Sequence, residues 1–225
     1  MWCVPELDSE FIERMEGLLE LYARPENPSE PLVCLDERPV QLLDAERPGR
    51  RMSPGSVAKR DYEYVRRGTA NIFCVVEPRT GRRQTHATPN RKGRAFARAL
   101  NRVARRHRQA RTIHLVLDNL NTHAEKSLTE HYGQLAGKRL WRRFTVHHTP
   151  KHASWLNPAE MEASLVSREC LGKRRLGSFK LLRREVAAWN RRADHARRRI
   201  NWKWRVGDAR RVFRYDGITT LRAEH

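Results

Sequence analysis

Three carboxylates stand where the chain could do chemistry. Asp36 closes the apolar run Leu32-Val33-Cys34-Leu35, and Asp118 closes Leu115-Val116-Leu117. Side chains at strand ends leave a rigid sheet and enter a crevice, which is where α/β sites form. If the two strands are neighbours, both anions point into one volume and repel each other unless a cation lies between them. Hard oxygen donors select Mg²⁺ or Mn²⁺. Two such ions about 4 Å apart can activate an attacking oxygen and stabilise a leaving one in phosphoryl transfer. A third acid is wanted on a nearby helix, and Glu160 suits that role.

Each acid also has a plainer reading. With Asn157 as N-cap and Pro158 at the first helical position, Glu160 falls where a capping-box glutamate sits. Glu162 is a rival on the next flank of the same helix, and Glu37 either reaches the site or faces solvent. Asp118 and Asn119 could instead bond their own backbone in a turn. The conjunction of an apolar strand, an Asp and the polar cluster Asn119, Asn121 and His123 favours a site. The two asparagines could orient a carboxylate or a water. His123 could touch a substrate phosphate or cap the next helix.

The elements that must position these residues follow from periodicity. Residues 10–23 read as a helix, with Phe11, Met15, Leu18, Leu19 and Tyr22 on one face. The proline-rich stretch 24–31 breaks it. A strand follows and ends near Asp36, and residues 44–60 read as loop. Residues 70–78 read as a strand, with 83–89 as its hairpin partner. Residues 91–109 read as a helix, 112–118 as a strand, 124–136 as a helix and 142–150 as a strand. Two helices are expected after that. One starts at Asn157 and runs to Cys170. The other covers 178–199, with Phe179, Leu182, Val186, Trp189 and Ala193 on one side. Strands alternating with helices imply a mixed α/β sheet with helices on its faces.

The charge balance points to a partner. The 225 residues carry 46 Lys and Arg against 26 Asp and Glu, a net charge of +20. Such a surplus favours a polyanion, nucleic acid before an anionic membrane surface, although a general arginine bias would also raise it. No apolar run reaches the length that spans a bilayer, and the N-terminus lacks the pattern of a secretion signal. Cys3, Cys34, Cys74 and Cys170 are widely spaced, which argues against a zinc site or disulfide framework. A reducing cytoplasm, with association to the nucleoid, is the expected setting.

The phrases LDNLNTH and TPKHASWLNPAE together resemble the catalytic domain of DDE transposases of the IS630/Tc1/mariner superfamily, most closely the bacterial IS630 type. MWCVPE, VCLDE, DYEYVRRGTANIFCVVEP and LRREVAAWNRR are also similar to that family, so the likeness covers nearly the whole chain. The resemblance implies an RNase H-like fold, a five-stranded mixed sheet flanked by helices. It implies that Asp36, Asp118 and Glu160 bind two Mg²⁺ ions, which Mn²⁺ can replace. The implied activity is metal-assisted cleavage of double-stranded DNA at transposon ends. Transfer of the freed 3′-hydroxyl into target DNA follows, commonly at TA, within a homodimer. The match raises Glu160 above its capping reading and above Glu162. Family members usually carry N-terminal helix-turn-helix domains, and the chain begins about thirty residues before the first catalytic strand. The expectation is therefore a core without its end-reading module, whose alternative is a non-catalytic DNA-binding remnant. The 41 residues between Asp118 and Glu160 exceed the usual spacing, which points to an insertion in the 124–142 loop region. The expected layout is a helix and linker over 1–30, the catalytic domain over 31–176, and a basic helix and tail over 177–225.

DNA contacts are expected from Asn119, His123, Lys151 and His152, and from the basic clusters holding Lys173, Arg174, Arg175, Arg183, Arg184 and Arg198. His147, His148 and His152 read as backbone or phosphate contacts rather than a zinc cluster. Trp202 and Trp204 could stack on or wedge between bases, but packing of the tail onto the core is the preferred reading. Trp155 is expected to pack beside the helix that carries Glu160.

Overall fold

A computed structural model describes residues 7–47, 49–50, 52–58, 62–118 and 123–215. Five strands form one sheet: β1 (Leu32–Ala45), β2 (Tyr64–Val76), β3 (His86–Thr88), β4 (Ile113–Leu117) and β5 (Phe144–His148). Their spatial order is β3-β2-β1-β4-β5. The pairs β1–β2 and β2–β3 are antiparallel, and β1–β4 and β4–β5 are parallel. The sheet is therefore mixed, flanked by helices, as expected.

Alternation along the strands explains the packing, because successive side chains point to opposite faces. Val33, Leu35, Phe73, Val75, Leu115 and Leu117 face α2 (Gly93–Arg106), which supplies Phe96, Leu100 and Val103. On the other face, Leu32, Cys34 and Val116 meet α1 (Ser9–Ala23) through Met15, Leu18 and Leu19. Every residue of β4 is buried, as a strand covered on both faces must be. α6 (Phe179–Ala196) lays Leu182, Val186, Trp189 and Ala193 on Ile72 and Cys74 of β2.

Several expectations need correction. β1 does not end near Asp36. It continues to Ala45 as the partner of β2, so the first part of the expected 44–60 loop is strand. Its parallel pairing to β4 covers only Leu32–Cys34, and Pro39 lies beyond, where no second neighbour needs its missing N–H. The helix expected over 124–136 is two, α3 (Glu125–Tyr132) and α4 (Gln134–Trp141), hinged at Gly133 with φ 83°. Residues 125–141 thus form a helical hairpin within the region where an insertion was expected. The helix after Asn157 is α5 (Ala159–Leu165), whose last turn widens into a π-helical stretch over Val166–Leu171. The basic tail holds one more helix, α7 (Val206–Phe213). Residues 48, 51, 59–61 and 119–122, the last including Asn119 and Asn121, lie outside the described residues.

One turn requires its glycine. Gly81 has φ 70°, and a Cβ there would lie 2.4 Å from the Arg197 carbonyl. The β2–β3 turn and the end of α6 meet at that point. Ile200 N donates to the Pro78 carbonyl beside it.

Candidate active site

Asp36 and Asp118 each stand two residues beyond one rung of the parallel pair β1–β4, where Cys34 lies opposite Val116. Alternation puts Asp36 on the face of Cys34 and Val116, the face that also carries the chain leading into α5, while Asp118 stands just past the end of β4 with its carboxylate turned to His123. Both are half-buried.

The third acid is bolted to this rung by Asn157. Its Nδ2 donates to the Leu35 carbonyl at 2.8 Å, and its Oδ1 accepts from Ala159 N at 3.1 Å. One buried side chain thus ties the start of α5 to the residue before Asp36. Pro158 already has helical backbone angles, as expected of a first-turn proline. Asn157 N donates to the Ser154 carbonyl at 2.7 Å, so that N–H has its acceptor without the Glu160 carboxylate. Glu160 is exposed, at the mouth of a cleft of about 810 Å³ lined also by Trp155, Met161, Arg168 and Arg199.

Glu162 is in a different place. It is fully buried, and Arg83 Nε donates to its Oε2 at 2.9 Å. Thr85 donates to its other oxygen at 3.3 Å. The remaining Arg83 donors go to the carbonyls of Gly81 and Arg198. Glu162 is therefore a buried anchor of α5 and not an open ligand. Two residues along a helix turn the side chain about 200°, which separates the roles of Glu160 and Glu162.

Glu37 and His123 complete the surroundings of Asp118. His123 is buried and stacks on Phe96, with ring centroids 4.6 Å apart. Its Nε2 lies 2.7 Å from Glu37 Oε1, and its Nδ1 lies 2.6 Å from Asp118 Oδ1, off the line of a regular hydrogen bond. Burial alone would lower the pKa of His123. The close Asp118 carboxylate, the Glu37 hydrogen bond and the charges of both outweigh that and push it up to about 9. His123 is thus an internal cation between two carboxylates. The phosphate contact and helix-cap roles considered for it do not fit this placement.

Burial raises the Asp36 carboxyl to about 6, with the charges of Glu160, Asp118 and Glu37 adding to the rise and a hydrogen bond from Glu37 N opposing it. Carboxylates whose charges bear on Asp36 offer oxygen donors, which fit a hard divalent cation. Among the described residues the side chains do not already form a closed cage of three ligands. Asp118 is turned to His123 and Asp36 to Glu37 N, so a bound ion would compete with these partners.

Of the residues expected to touch DNA, Lys151, His152, Lys173, Arg174, Arg183, Arg184 and Arg198 are exposed. Several are paired within the chain at its surface. Arg174 pairs with Glu185, Arg184 with Glu185, and Arg198 with both oxygens of Glu169. Arg175 donates to the carbonyls of Tyr62 and Glu63. Asn119 lies outside the described residues. His147 pairs with His114 at 2.9 Å, His148 meets the Asp118 carbonyl, and His152 is exposed, so these three do not converge. Trp202 packs on Tyr22, and Trp155, Trp204 and Phe213 form one aromatic cluster, so the tail tryptophans pack the core. The sequence reading did not single out Arg83. Its only signal was a charged residue at the start of the expected hairpin strand.

No curated protein sequence matches the chain. Among solved structures, the chain is similar to the Mos1 mariner paired-end complex with Mn, with a TM-score of 0.55 and 15% identity over 89% of this chain and 62% of that one. It is also similar to the Mos1 strand transfer complex, with a TM-score of 0.54 and 16% identity over 87% and 60%. A pre-cleavage Mos1 transpososome gives a TM-score of 0.53 and 14% identity over 89% and 59%. The chain spans about 60% of the length of those proteins. The likeness shows the fold, an RNase H-like mixed sheet flanked by helices. A family model described as DDE superfamily endonuclease matches residues 31–183, more than half of the chain, and the chain belongs to that family.

Proposed function

We propose that this chain is the catalytic core of an IS630-type DNA transposase that cuts double-stranded DNA at transposon ends and joins them to target DNA. The observation that carries this reading is the common rung: Asp36 and Asp118 stand beyond Cys34–Val116, and Asn157 ties the helix of Glu160 to Leu35. Asp36, Asp118 and Glu160 are the residues that would hold Mg²⁺ or Mn²⁺. Bound there, two such ions would supply Lewis-acid activation of the attacking oxygen and stabilisation of the leaving oxygen. The chain's own part is positioning. Asn157 fixes the start of α5, His123 holds Asp118 from behind, and Arg168 and Arg199 line the cleft beside Glu160 with positive charge for a phosphate backbone. The paired-end and strand-transfer states named for Mos1 support DNA as the partner, and a homodimer acting at TA is part of the same reading. Residues 31–176 would form the catalytic domain, preceded by a helix and linker over 1–30 and followed by a basic helix and tail over 177–225.

The test is incubation of the purified chain with supercoiled plasmid in Mn²⁺, Mg²⁺ or EDTA, beside Asp118→Asn. Metal-dependent nicking that disappears in the variant supports the reading. Equal nicking by both proteins removes Asp118 from the mechanism. Preference for an RNA–DNA hybrid over duplex DNA would instead assign a ribonuclease H-type activity. DNA binding without any metal-dependent cleavage favours a non-catalytic DNA-binding protein.

A further inference from the structure

A second basic site lies at the opposite edge of the sheet from β5. α2, β3 and the start of α6 enclose a groove of about 460 Å³. Arg94, Arg98 and Arg102 line one wall from α2, and Arg183 lines the other from α6. Their four-residue spacing puts the three α2 arginines on one face of the helix, where like charges repel. All four are exposed, and none makes an ion pair or hydrogen bond among the described residues. The neighbouring Arg106 contrasts with them, since it is engaged by Asp194. No acid lines the groove, and its floor is short side chains of β3 with Phe179. His86 also lines it. Its Nδ1 faces the Gln84 carbonyl at 2.9 Å, and its Nε2 is buried with no partner. A neutral ring donating through Nδ1 leaves Nε2 as an acceptor, which a water bridging to a bound phosphate would satisfy.

Repelling charges with no acid between them, around a groove with an unsatisfied polar atom, are arranged for an anion. From Arg94 to Arg102 the helix rises about 12 Å. That is roughly the axial rise of three to four nucleotides in one strand of duplex DNA. We propose that this groove binds the sugar-phosphate backbone of duplex DNA, as a contact separate from the one beside Glu160. The proposal rests on the reading of the chain as a DNA-acting protein. β3 is separated from the carboxylate-bearing β1 by β2, so the groove holds DNA beside the cleaved segment rather than at the carboxylates.

The test is the salt dependence of duplex binding, followed by fluorescence anisotropy without divalent metal. The wild type is compared with a triple variant, Arg94→Gln, Arg98→Gln and Arg102→Gln. A control variant, Lys138→Gln, Arg139→Gln and Arg142→Gln, removes the same charge from α4 and the residue after it. Each lost phosphate contact lowers the slope of log K against log salt by about 0.9. The groove variant is expected to lose roughly 2 to 3 from the slope, and the control less than 1. Arg183→Gln, on the other wall, is expected to lose about 1. Equal slopes for the groove variant and wild type overturn the proposal, and so do equal losses in the groove and control variants. If the wild type itself binds no duplex, the DNA-acting reading fails as well. A groove variant that keeps the wild-type slope while the wild type binds sinks the groove alone.

Discussion

His123 Nδ1 lies 2.6 Å from Asp118 Oδ1, and the opposite ring nitrogen is held by Glu37 at 2.7 Å. His123 and Glu37 are almost fully buried, while a third of the Asp118 side chain remains open. The arrangement fixes Asp118 from its buried side and leaves its outer side facing the crevice. Removing the imidazole by His123→Ala strands the Glu37 carboxylate in the interior. Breaking a buried pair from one side costs about 3 to 5 kcal/mol. Urea melts should show a loss of that size, and the double variant with Glu37→Gln should recover part of it. A loss fully additive between the two sites would mean that they are not coupled.

Glu160 and Glu162 are two residues apart and should behave oppositely. Glu162→Ala leaves the buried Arg83 guanidinium without its carboxylate and should cost about 3 to 5 kcal/mol in thermal or denaturant unfolding. Glu160→Gln, at an exposed position, should change stability by no more than about 0.5 kcal/mol. It should nevertheless abolish metal-dependent plasmid nicking. Nicking that survives Glu160→Gln would refute the assignment of that residue.

Asn157→Ala removes both the bond to Leu35 and the one to Ala159. Loss of a cap and of one buried hydrogen bond should lower stability by about 1 to 3 kcal/mol. Asn157→Asp keeps the acceptor for Ala159, loses the donor to Leu35 and adds a charge near Asp36. It should nick plasmid more weakly than Asn157→Ala at equal folded fraction. Wild-type nicking by both variants at equal folded fraction would show that the bond to Leu35 does not position the site.

Metal binding can be read without cleavage. A ligand that binds only the folded state raises the melting temperature with its concentration. Mn²⁺ should raise that of the wild type, and the shift should be lost in Asp36→Asn and Asp118→Asn. A shift equal in all three proteins would place the ion elsewhere.

Glu77 gives a pH dependence away from the site. It is buried with His107 Nε2 at 3.1 Å and accepts from Thr80 at 2.8 Å. Burial would raise its carboxyl, but the close His107 ring, the Thr80 hydrogen bond and the nearby Arg106 outweigh burial and hold it below the usual range. A depressed carboxylate contributes stability above its unfolded pKa and loses it as pH falls through the folded value. Relative to Glu77→Gln, the wild type should be more stable at neutral pH. The gap should close as the pH drops below about 4. A gap that persists unchanged in acid would show that Glu77 makes no charge-dependent contribution.

The sequence by itself determined where the apolar runs of β1 and β4 stop and the chemistry that could occur there. Apolar runs that stop on Asp36 and Asp118 are local patterns, because burial on both faces of a strand imposes them residue by residue. The amphipathic faces of α1, α2 and α6 were legible for the same reason, since helical period and burial act within a few turns. Tertiary structure alone decided what depends on residues far apart in the chain. The burial of Glu162 turns on Arg83, 79 residues away. The partner of His123 is Glu37, 86 residues away. The continuation of β1 beyond Asp36 depends on β2, because a strand with polar residues and a proline is stable only once its partner is present. A buried charge carries no signature in its own neighbourhood. Its position is favourable only after the fold supplies the opposite charge, which is why the anchors of this site were invisible until the sheet and helices were assembled.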